Sequence, residues 1–88
     1  MKYTKYFSFI TKEQGKINVG THQFQRIMNI VHIEGIIEGM NKIKTTLKDT
    51  KEPYKYDMLI FKQNNILTEL TGNLEPNLLL KEMILLSE

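Results

Sequence analysis

The sequence predicts an α+β fold: a small, mostly antiparallel sheet of two hairpins, with a central helix at about 34–48 and a C-terminal helix at about 76–87 packed on one face. Three observations carry this expectation. Residues 2–10, KYTKYFSFI, are rich in aromatic side chains and lead into the polar turn TKEQG. Residues 57–62, DMLIFK, precede the turn-forming Gln63, Asn64 and Asn65 and a second alternating run, ILTELT. Between these, Ile33, Ile36, Ile37, Met40, Ile43 and Leu47 recur at spacings of three and four, the period of an amphipathic helix.

The first hairpin is read as a strand at 2–10, with Phe7 and Phe9 on its aromatic face, and a short return at 16–19. Gly15 ends the turn and can take a positive φ. Gly20 closes the hairpin, and Thr21 is placed to cap a helix should one begin there.

Residues 24–48 form the longest run of apolar and helix-compatible residues. Phe24, Ile27, Met28 and Val31 make a helical stripe, but it lies about 150–180° around from the stripe that begins at Ile33, at about 100° per residue. Two readings follow. Either 26–33 is a fifth strand, apolar on both faces, or the whole stretch is one long helix. The strand reading is favoured by the β-branched Ile27, Ile30, Val31 and Ile33, and it sets a hinge near residues 32–35.

Residues 50–56, TKEPYKY, read as a linker, because Pro53 disfavours helix at Glu52. The second hairpin follows. Gly72 and Asn73 end its last strand, and Pro76 suits the first turn of a terminal helix. That helix, NLLLKEMILLS, is apolar around nearly its whole circumference, with only a narrow strip at Lys81 and Glu82. A domain of 88 residues has little interior in which to hide such a helix. Burial between subunits or under a partner is therefore expected.

The chain is expected to form a single domain over 1–88. It has no cysteine, no apolar h-region near its start and no run approaching the roughly 20 apolar residues of a membrane helix, all compatible with a cytoplasmic protein. Its richness in Ile, Leu, Lys and Asn hints at an AT-rich source such as a phage or another mobile element. The charge is unevenly distributed. Residues 1–20 carry four lysines against one glutamate, whereas 63–88 carry one lysine against four glutamates. That asymmetry permits head-to-tail association, or an anionic partner on the basic side.

Chemistry is poorly represented. His22 and His32 lack acidic or cysteine neighbours at metal-ligand spacing; His32 reads as a hydrogen-bonded structural residue and His22 as a surface one. Glu34 and Glu38 stand one helical turn apart beside lysines and read as a solvated pair. No nucleophile elbow or phosphate-cradling glycine loop is present. No catalytic, metal or cofactor site is expected, and an enzyme is the weakest reading.

Two functional readings remain. The first is a small non-enzymatic protein-binding module, a homo-oligomeric regulator or inhibitor. Its interface would use Leu78, Leu79, Met83, Leu85 and Leu86, with Gly35 and Gly39 as a small-residue contact. The second is a nucleic-acid-binding regulator. Lysine and tyrosine interleave at Lys2 and Tyr3 and again at Lys51, Tyr54, Lys55 and Tyr56, so rings could stack on bases while cations track phosphates. Arg26, the lone arginine, argues against base-edge readout. Ile17, Asn18, Val19 and Gly20, followed by Arg26, Ile27, Ile30 and Val31 ahead of a helix, slightly resemble the small DNA-binding regulators of the Rem type over a third of the chain. The extra N-terminal strand and the scarcity of arginine depart from that pattern, and no site residue is carried over.

Overall fold

The chain folds into helices, not into a sheet. The structure, a computed structural model, describes residues 1–46 and 53–88, and among these it contains α1 (Lys2–Gln14), α2 (Thr21–Thr46), α3 (Pro53–Thr71) and α4 (Pro76–Leu86), with no strand. The expected α+β sheet of two hairpins is overturned, while the terminal helix and its opening proline stand as expected.

The first expected strand is α1. Tyr3 and Phe7 are buried, and Tyr6 and Ile10 are half-buried against the core, which is an i, i+3, i+4, i+7 stripe. The aromatic residues suggested a strand, yet their spacing fits a helix, and burial along that spacing decides. Gly15 does take a positive φ, 78°, but as the cap of α1: its N–H donates to the Thr11 carbonyl at 2.7 Å. The expected return strand at 16–19 is a connecting segment whose Ile17 and Val19 lean on the core.

Residues 21–46 form one helix of 26 residues, about 39 Å long, without the expected hinge at 32–35 or the fifth strand at 26–33. The two opposed apolar stripes persist on it. The unbroken helix does not hide both. It buries Gln23, Ile27, Ile30, Ile33 and Glu34, a stripe that runs between the two and includes polar residues. Phe24 and Met28 at one end and Ile43 at the other stay exposed as a result.

The second expected hairpin is α3. Tyr56, Ile60, Gln63, Leu67 and Leu70 are half-buried at spacings of four and three, so Asn64 and Asn65 lie within a helix instead of making a turn. Pro53 opens α3, where its missing N–H costs nothing; the rest of the expected linker, 50–52, lies outside the described residues. Gly72 and Asn73, with φ of 62° and 58°, end α3 in the left-handed region.

α2 and α3 are antiparallel neighbours. Lys44 pairs with Asp57, and the Arg26 side chain donates to the Leu70 carbonyl at 2.7 Å, so positions pair in opposite order along the two helices. α1 and α4 both pack on one side of this two-helix layer. The core sits there: Tyr3 and Phe7 of α1, Ile27 and Ile30 of α2, and Leu79, Leu80 and Met83 of α4. Ser87 ties the end of α4 to the start of α2, its Oγ accepting from the Gly20 N–H at 2.8 Å. The resulting shape is elongated, 50 × 24 × 19 Å, because the far ends of α2 and α3 project beyond the core.

Candidate protein-interaction surface

The surface divides into buried polar groups that fix the core and apolar groups left outside it. The strongest of the former is Glu34. Only 5% exposed, it reaches from α2 to the start of α1. Its carboxylate accepts from the Tyr3 N–H at 3.2 Å, the Thr4 N–H at 2.7 Å and the Thr4 hydroxyl at 2.6 Å. The first turn of a helix has N–H groups with no partner of their own, and Met1 supplies no side-chain cap. Glu34 serves as that cap from another helix, with its charge at the favourable end of the α1 dipole. The expected solvated Glu34/Glu38 pair is thus corrected: only Glu38 is exposed, 3.9 Å from Lys42.

Tyr3 is locked in the same place, its hydroxyl donating to the Leu74 carbonyl at 2.6 Å. Arg26 joins three elements: besides Leu70, it reaches Gln23 and Glu82, each at 3.3 Å. Among the described residues, no buried side-chain nitrogen or oxygen lacks a partner. The polar interior is committed to holding helices together. His32, expected inside, is exposed on α2, on the side turned away from Ile30 and Glu34; His22 is exposed, as expected. Among the described residues no three metal-ligating side chains converge, and no helix is long and apolar enough to cross a membrane.

Of the interface residues named from the sequence, Leu79 and Met83 are fully enclosed in the chain's own core. Leu78, Leu85 and Leu86 remain 47%, 68% and 60% exposed. The terminal helix is therefore half core and half surface: its apolar circumference is divided between α1 and α2 on one side and solvent on the other. Among the described residues no neighbouring backbone approaches Gly35 or Gly39, since a Cβ at either would meet nothing within 4 Å. Gly35→Ala is accordingly expected to stabilise the protein by roughly 0.5–1 kcal/mol through helix propensity, measured by chemical denaturation.

The two lysine–tyrosine clusters are not brought together. Tyr3 is buried and cannot stack on a base, and Lys2 lies 5.3 Å from its ring centre and 3.5 Å from Glu75. Tyr54 is exposed and Tyr56 half-buried at the start of α3, with Lys55 between them in sequence. Lys51 lies outside the described residues.

The sequence reading missed α3. Among its described side chains only Thr71, at its end, is buried, and Tyr54, Met58, Leu59, Phe61 and Ile66 are all exposed. The available signal was the heptad-like series from Tyr56 to Leu70. It leaves the neighbouring apolar residues off the packed face. No known protein family, curated protein or solved structure matches the chain.

Proposed function

We propose that this chain is a small non-enzymatic protein-binding module that works as a homo-oligomer, in a regulatory or inhibitory role. The observation that carries the reading is α3, a helix of 19 residues with five exposed large apolar or aromatic side chains and, among its described residues, no buried apolar one. Scattered apolar residues are ordinary on a surface, but a contiguous concentration on one element marks a contact region. Glu34 and Arg26 are engaged in capping and cross-linking helices. A cytoplasmic setting goes with this reading and is supported by the absence of cysteine.

Light scattering across a concentration series from low micromolar to near-millimolar tests it. The expected mass is a multiple of the 10.4 kDa chain, rising with concentration toward a plateau. A mass of one chain throughout the series would overturn the homo-oligomeric reading.

A further inference from the structure

We infer that the side of the α2–α3 layer opposite α1 and α4 is a dimerisation face, covered by the same face of a second copy so that two helical hairpins close into an intermolecular four-helix bundle. The inference rests on the oligomeric reading above and assigns it a surface.

The face follows from helix geometry. At about 100° per residue, the α2 positions that meet the core and those that meet α3 leave Ile36, Met40 and Ile43 turned to the far side of the layer. On α3, where Ile60, Gln63 and Leu67 point inward, the same reckoning turns Leu59 and Ile66 to that side. The Lys44–Asp57 pair sets the register, so Ile43 is level with Leu59, and Ile36 with Ile66, about 10 Å further along. Two apolar rungs thus span both helices. Ile43, Leu59 and Ile66 are 44%, 46% and 43% exposed, and Ile36 and Met40 are half-buried.

The dimensions call for a cover. The accessible surface is 6349 Å², against about 5,400 Å² for a folded monomer of this mass. The excess, about 900 Å², is close to the roughly 800 Å² that one partner contributes to a stable interface. The radius of gyration is 15.1 Å, against about 12 Å for a compact chain of this length. A two-helix layer covered on one side is half of the arrangement that buries a helix pair fully.

The occupant is a second copy because the face suits itself. Lys62 and Glu69 are both exposed on the α3 edge that borders it, two turns apart. A two-fold axis near Ile66 would set the lysine of each copy against the glutamate of the other, as an isologous contact requires. The opposite charges sit at the rim and the isoleucines and leucine at the centre, as in an interface with an apolar core and polar border.

Two paired variants decide the matter by sedimentation equilibrium. Leu59→Glu with Ile66→Glu is expected to weaken self-association by about a hundredfold or more. Leu85→Glu with Leu86→Glu, on exposed α4 positions, is expected to leave it unchanged. The chain has no cysteine, so Ile66→Cys or Ile36→Cys in the otherwise native protein supplies a second reading that does not depend on the glutamate variants folding. Mild oxidation is expected to trap a disulfide dimer at either position, and none with Leu86→Cys. Dimers that survive the Leu59/Ile66 change, or that cross-link through Leu86→Cys alone, would overturn this assignment and leave the oligomeric reading standing. A wild-type chain that sediments as a monomer at all concentrations would overturn both.

Discussion

Leu79→Ala is expected to lower stability by about 3–5 kcal/mol, seen as a fall in the midpoint of chemical unfolding. Leu79 is completely buried in a cluster that, among the described residues, has seven buried apolar members from α1, α2 and α4. Its loss removes the transfer energy of the side chain and leaves a cavity that three helices would have to close together. Total stability for a domain of this size is about 5–15 kcal/mol, so the change takes a large share of it. Leu85→Ala on the same helix is the matched control. Leu85 is 68% exposed, and its truncation is expected to stay within about 0.5 kcal/mol at concentrations where the protein is monomeric. Equal effects at the two positions would contradict the division of α4 into a core side and a surface side.

Glu34→Ala is expected to cost about 3 kcal/mol. Two backbone N–H groups of α1 and one hydroxyl lose their acceptor in a place that water reaches poorly, and each orphaned buried donor costs about 1–3 kcal/mol. Thr4→Val, which removes only one of the three bonds, is expected to cost about 1 kcal/mol. The order of the two effects, measured by urea denaturation with circular dichroism, checks the role. If Glu34→Ala proves as mild as Thr4→Val, the carboxylate is not what secures the start of α1.

Part of this architecture could be read from the residues alone. The terminal helix, its Pro76 start and the left-handed position at Gly15 are local features, and each has a local cause. The sheet was misread because aromatic and β-branched residues were weighed by type before spacing. Tyr3, Phe7 and Ile10 already stood at helical intervals, and so did Ile60, Leu67 and Leu70. β-propensity describes how a side chain fits its neighbours, and here tertiary packing overrode it.

The burial of Glu34 was not legible for a different reason. Nothing in its own neighbourhood distinguishes it from Glu38, one turn further on. The difference is made by α1, some thirty residues earlier, whose first N–H groups arrive beside it. The exposed side of α2 was hidden likewise. Its two opposed stripes were visible, but the expectation that each must be buried within one chain led to a hinge. The helix runs unbroken and leaves both stripes partly open.

The placement of the core has a consequence for how the protein is made. Tyr3 and Phe7, from the first helix, are completed by Leu79, Leu80 and Met83, from the last. During synthesis α1 emerges early and has no finished site to occupy. The α2–α3 hairpin can form from near neighbours, yet the seal between the beginning and end of the chain waits until α4 has left the ribosome. Until then the newly made chain displays both its uncovered core and the outer face of its hairpin, so the interval between making α3 and releasing α4 is when it is most exposed to aggregation and to capture by chaperones.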